Sequence, residues 1–145
     1  DGTIDCLVTD HAPHTADEKN RPFAEAPFGI VGLETALALT LTFLVEPGHV
    51  SLERAIELWT DAPRAVFDLP RVTLEPGSPA DLVLIDPRAE WRVDPERFFT
   101  KGRNTPFAGW TLRGRVLATM LAGRFTHVSE DSAFAPAIAM GGHTS

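Results

Sequence analysis

Cys6-Leu7-Val8-Thr9-Asp10-His11-Ala12-Pro13-His14 decides how the rest of the chain is read. A short apolar run delivers one carboxylate and two imidazoles within five consecutive positions, and Pro13 stops any regular continuation. Ile4 to Thr9 has little polar/apolar alternation, so it reads as a short strand covered on both faces. Asp10 then stands where a buried strand opens into a loop. In a parallel barrel that strand end is where active sites are built. Asp10 there can ligate a divalent metal and accept a proton from water. Equally, an Asp in such a place can be a plain turn or helix cap. His11 and His14 have a metal-ligand spacing only on a helix, which Pro13 disfavours, and lone histidines are more often solvated or satisfied in a core. His49, His127 and His143 stand alone and carry no assigned role.

Outward from this stretch, residues 15–27 are polar, carry Pro22 and Pro27, and read as an exposed loop of about a dozen residues, a length that is more often functional than not. Phe28-Gly29 follows. Its backbone N–H groups can hold an anionic or carbonyl oxygen, or simply start the next helix. That helix is expected from about Leu33 to Val45, apolar nearly all round and therefore buried, ending at Glu46-Pro47-Gly48. Ser51 is a good N-cap for a helix to about Trp59, with Leu52, Ala55, Ile56 and Trp59 on its inner stripe. Asp61 can cap a third helix, with Pro63 in its first turn.

After Leu69-Pro70 the helical periodicity vanishes. Asp81 to Asp86 reads as a short buried strand and Glu90 to Val93 as a second. Leu112 to Leu121 and Arg124 to Val128 read as a hairpin turned at Ala122-Gly123. Lys101 to Phe107 is a basic, turn-rich loop that either approaches a substrate or joins two strands, the structural reading being favoured. Residues 1–69 are thus expected to be α/β, 70–128 a small antiparallel β unit, and 129–145 a disordered tail.

Composition narrows the function. Of 145 residues 43% are hydrophobic, enough for a core, and 13 Lys and Arg against 20 Asp and Glu leave a net charge of −7. That balance argues against nucleic acid or an anionic membrane as partner. One cysteine rules out an internal disulfide framework and fits a cytoplasmic protein. Val31 to Val45 is the longest apolar run, but Glu34 and several threonines interrupt it well short of a membrane span. Asp1 to Asp5 has neither an initiator Met nor a signal-peptide pattern, so the chain is expected to be a fragment, a processed product or one segment of a split protein.

Thr9 to His14, then Glu18-Lys19, Pro22-Phe23, Ala26-Pro27, Gly29-Ile30 and Gly32-Leu33-Glu34-Thr35, resembles in order and spacing the C-terminal signature of the dihydroorotases, within the amidohydrolase superfamily. Gly77-Ser78-Pro79-Ala80-Asp81-Leu82 resembles the superfamily's return into its small β domain, and Asn104-Thr105-Pro106-Phe107 with Gly114 and Val116 also fits. The first part is the more specific; the second is shared with hydantoinases and allantoinases. The resemblance implies the C-terminal segment of a TIM-type (β/α)8 barrel followed by a small antiparallel β-sandwich unit. It implies reversible, zinc-dependent hydrolysis of dihydroorotate to carbamoyl aspartate in pyrimidine biosynthesis. In it Asp10 is both zinc ligand and catalytic base, His14 binds the substrate carboxylate, and Phe28 and Gly29 contact substrate through their backbone. His11 orients the strand end, and the loop after His14 becomes a lid. The family's other metal ligands lie upstream of any residue here, and a whole barrel needs roughly 250 residues. The expected partners are therefore the N-terminal barrel portion or a further copy, with aspartate transcarbamoylase as a candidate. Two alternatives stand beside this reading: a non-catalytic scaffold of a pyrimidine enzyme complex, and a hydantoinase or dihydropyrimidinase acting on an uncharged ring.

Overall fold

The computed structural model describes residues 2–130. Four short helices precede a three-stranded antiparallel sheet. Thr15 opens α1 (Ala16–Lys19) with a capping box: its hydroxyl accepts from the Glu18 N–H, and Glu18 reaches back to the Thr15 N–H. The expected plain loop thus contains a helical turn, written in the sequence as Thr-x-x-Glu.

Ile4 to Thr9 does not form the covered strand expected of it. Its backbone is anchored by Leu7 N–H on the Leu58 carbonyl (3.0 Å), and the nearest pairing is one parallel bridge between His11 and Ile30. A buried parallel strand needs a neighbour on each side, and among the described residues none flanks this one. Val8 accordingly stays 68% exposed.

The helix expected over 33–45 appears as α2 (Ala36–Thr40) continued by a π turn (Leu41–Val45). Before it, Gly32 sits tight on Thr9, where a Cβ would lie 2.8 Å from the Thr9 carbonyl oxygen, and Gly32 to Thr35 forms a turn instead of helix. The π turn has a packing consequence. It sets Leu41 against Gly114, whose missing side chain makes the notch, while the Thr42 hydroxyl accepts from the Arg113 N–H at 2.9 Å. Ser51 caps α3 (Leu52–Trp59) by accepting from Arg54 N–H, and Ala55 and Leu58 are its buried residues. Ser51→Ala is expected to cost about 1 kcal/mol, read as a lower midpoint in urea with an unchanged slope. Asp61 is not the cap of α4 (Asp61–Val66) but its first residue; Thr60 precedes it without a side-chain capping bond to the helix, and Asp61 faces Arg71 at 3.7 Å instead.

In the sheet, the two strands expected at 81–86 and 90–93 are one, β1 (Leu82–Arg92), paired with β2 (Thr111–Leu121) from Leu82↔Met120 to Arg92↔Thr111. Pro87 cannot donate to the ladder, so the register shifts there, and Asp86 Oδ1 accepts the Arg88 and Ala89 N–H groups. The Leu82 end of β1 is not buried, with Val83 61% exposed. The hairpin to β3 (Arg124–Val128) turns at Ala122 (φ 48°) and Gly123 (φ 78°), the two positive values a tight type I′ turn needs. A sandwich requires two sheets; the described residues contain one, of three strands.

The core draws on both halves of the chain. Val31 and Ala38 meet Val93, Phe98 and Leu112, with Leu39, Trp91 and Phe107 packed around them. Leu112 is fully buried, worth about 2 kcal/mol in transfer alone. Glu34 fastens the loop after Phe98 by accepting Phe99 N–H (2.9 Å) and Thr100 N–H (3.0 Å). Ser129 is buried and donates its N–H to Leu117, so it belongs to the sheet unit, not the tail. The disorder expected further on, and His143, lie outside the described residues.

Candidate active site

Asp10 adopts φ 44°, a conformation that Asp tolerates better than most residues. It is exposed, and among the described residues no hydrogen bond or ion pair holds its carboxylate. His11, next in the chain, is committed elsewhere. Its Nδ1 accepts the N–H groups of Gly32 (3.1 Å) and Leu33 (3.4 Å), which places the ring proton on Nε2. The imidazole thereby caps the turn leading into α2 and ties the end of the extended segment to it.

His14 and Gly29 come together. A Cβ on Gly29 would lie 3.6 Å from His14 Nε2 and would clash with the Ala12 Cβ, so the segments 12–14 and 28–29 touch where only glycine fits. Gly29 takes φ 107°. Phe28 turns its ring outward, 94% exposed. On the other side of the imidazole, Nδ1 lies 3.7 Å from Glu18 Oε2. The Thr15 N–H, then the Thr15 hydroxyl, then His14 hold the Glu18 carboxyl below its usual range. α1 is thus one wall of this small site, and its capping box orients a carboxylate toward the imidazole.

Asn104 and Lys19 were missed as site residues. The Asn104 side chain accepts the His14 N–H (3.0 Å) and donates to the carbonyls of Ala12 (3.0 Å) and Gly29 (3.3 Å). Lys19 Nζ donates to the carbonyls of Pro27 (2.9 Å) and Gly29 (3.1 Å). Both belong to quoted motifs, but a partner 90 residues away along the chain leaves no trace in local spacing.

The described residues contain no group of three or more His, Cys, Asp or Glu able to hold a metal ion. Zinc takes at least three protein ligands; Asp10 offers one, and His11 Nδ1 is already occupied by backbone donors. These residues therefore do not fit a complete zinc site. Nor do they enclose a substrate. A concave space of about 1350 Å³ lies between α2 and the sheet, lined by Leu37, Trp91, Val93, Phe98 and His127. None of Asp10, His14, Phe28 and Gly29 reaches it.

An exposed carboxylate at the end of an extended segment thus stands four positions before a histidine that meets the Gly29 backbone. The chain belongs to the amidohydrolase family, whose model matches residues 1–126; members of this family are typically metal-dependent. Among curated relatives it is similar to the dihydroorotase of Shouchella clausii, 52% identical over 130 residues, covering 90% of this chain and 30% of that protein. The dihydroorotase of Halalkalibacterium halodurans is 51% identical over 124 residues, covering 86% and 29%. Among solved structures it is similar to the L-hydantoinase (dihydropyrimidinase) of Arthrobacter aurescens, with a TM-score of 0.80 and 33% identity over 88% of this chain and 30% of that one. The chain is thus dihydroorotase-like in sequence, more distant from the hydantoinase, and spans about 30% of the length of the relatives it matches. No helix among the described residues is long and apolar enough to cross a membrane.

Proposed function

We propose that the complete protein is a zinc-dependent dihydroorotase of cytoplasmic pyrimidine biosynthesis, and that this chain is its C-terminal part. Residues 1–69 are then the last strand and following helices of a (β/α)8 barrel, and 70–128 its small β domain. The observation that carries the reading is His14 Nε2 beside the Gly29 backbone, in a chain about half identical to dihydroorotases.

The reaction adds water across the ring amide of dihydroorotate: the carbonyl carbon gains the oxygen, the C–N bond breaks, and the nitrogen takes a proton. Zinc, when bound with ligands from the rest of the protein, supplies Lewis acidity. This chain's residues do the remainder. Asp10 gives the metal site one carboxylate, takes the proton of the attacking water and returns it to the leaving nitrogen. His14, with the Phe28 and Gly29 backbone, holds the substrate's carboxylate and so fixes the ring in place. The chain's partners are the N-terminal barrel portion or a further copy, with aspartate transcarbamoylase as a candidate assembly partner.

The likeness to a hydantoinase favours one second reading, a ring substrate without the carboxylate. His14→Ala separates the two in the full-length enzyme. Losing a charge-assisted hydrogen bond costs about 1.5–3 kcal/mol, so the KM for dihydroorotate is expected to rise about 10- to 100-fold, with little change for an uncharged dihydropyrimidine. Equal effects on both rings would favour the hydantoinase reading.

A further inference from the structure

We propose that Asn104 and Lys19 form a clamp on the Gly29 carbonyl and act as positioning residues for the substrate-anion subsite. The inference rests on the dihydroorotase reading above and extends it to two side chains that do not themselves touch substrate.

The Gly29 carbonyl receives two donors, one from ten residues before it and one from 75 after it: Lys19 Nζ at 3.1 Å and Asn104 Nδ2 at 3.3 Å. Asn104 uses its whole amide on the site. One N–H goes to Gly29, the other to Ala12, and Oδ1 takes the His14 N–H. Its backbone carbonyl accepts the Val31 N–H as well, at 3.1 Å. No other side chain of this size presents two donors and an acceptor: Asp loses the donors, and Gln is a methylene too long. Lys19 completes the grip from the α1 side by holding the Pro27 carbonyl, which fixes both ends of the Phe28 residue between 27 and 29. Among the described residues Lys19 has no carboxylate partner; its bonds go to the Pro27 and Gly29 carbonyls.

Close packing keeps the clamp in register. Gly102 lies so near Pro13 and Val31 that a Cβ would meet each at 2.8 Å, and Glu34 fastens residues 99–100 just before it. Three backbone segments distant in sequence, 12–14, 27–31 and 102–104, are thus joined at the place where His14 faces Gly29. A subsite made of an imidazole and backbone N–H groups depends on that registry for its geometry. Chemistry at Asp10 does not. Loosening the clamp therefore weakens substrate binding and spares the chemical step.

The test uses the full-length enzyme with Asn104→Asp, Asn104→Ala, Lys19→Met and Lys19→Arg. For Asn104→Asp and Lys19→Met we expect KM for dihydroorotate to rise at least tenfold with kcat within threefold of wild type, and Lys19→Arg to recover most of the loss. Amide exchange at His14, whose N–H rests on Asn104, is expected to speed in Asn104→Ala. A KM within twofold of wild type in both Asn104→Asp and Lys19→Met overturns the proposal, as does a matched fall in kcat and kcat/KM. A wild-type enzyme without dihydroorotate turnover overturns the functional reading instead; the clamp is then judged by exchange, and unchanged protection at His14 in Asn104→Ala refutes it. Should Asn104→Ala fail to fold, Lys19→Met on the partly exposed face of α1 decides by KM alone.

Discussion

Asp10→Asn in the full-length enzyme is expected to lower kcat for dihydroorotate by about 10²- to 10⁴-fold, the range for loss of a positioned proton carrier, and to leave the fold intact. The substitution isolates chemistry unusually well. Asp10 is exposed and, among the described residues, bonded to nothing, so no packing is lost. Its φ of 44° is one that Asn adopts as readily as Asp, so the backbone need not move. What disappears, on the proposed function, is the negative charge offered to the metal site and the basicity for taking a proton. The readouts are kcat, bound zinc and the thermal midpoint measured together. An Asn variant within tenfold of wild type would show that the proton is carried elsewhere.

Gly29→Ala is the second large effect, and it acts through the backbone. A methyl there would meet the Ala12 Cβ far inside contact distance, and the residue would have to keep φ 107°. Strain at such a φ costs on the order of 1–3 kcal/mol, and overpacking costs a similar amount. The chain relieves both by pushing segment 28–29 away from 12–14, which parts His14 from the Gly29 backbone. The expected result is a drop of several kelvin or more in the thermal midpoint and a KM for dihydroorotate raised well beyond that of Asn104→Asp. Gly123→Ala is the control: φ 78° with nothing within 4 Å of the added methyl, so it carries backbone strain without a clash and leaves KM alone. If the two variants behave alike, the close approach at Gly29 does not matter to the site.

Much of this molecule was legible in its residues. Ser51 caps a helix and Ala122-Gly123 turns a hairpin, because each depends on neighbours a few positions away. The Thr15-x-x-Glu18 capping box is just as local, although residues 15–27 read as a plain loop. The other elements that differ are set by distant partners. Ile4 to Thr9 has the composition of a buried strand, yet composition supplies no neighbouring strands. Residues 81–86 and 90–93 read as two strands; pairing with β2 carries one ladder past Pro87 at the cost of a bulge. The helix over 33–45 is wound as a π turn where Leu41 drops into the notch of Gly114, a contact across more than 70 positions.

The site divides along the same line. The order of residue types from Thr9 to Thr35 by itself determined the family resemblance, the carboxylate at the strand end and the candidate anion subsite, because motif and chemistry travel together along a short stretch. Tertiary structure alone decided that His11 is spent on the N–H groups of Gly32 and Leu33, that His14 faces Gly29, and that Asn104 and Lys19 hold the two together. Hydrogen bonds between segments 10 to 90 residues apart are settled by how the backbone packs, and glycines at 29, 102 and 114 permit that packing only because side chains are absent there.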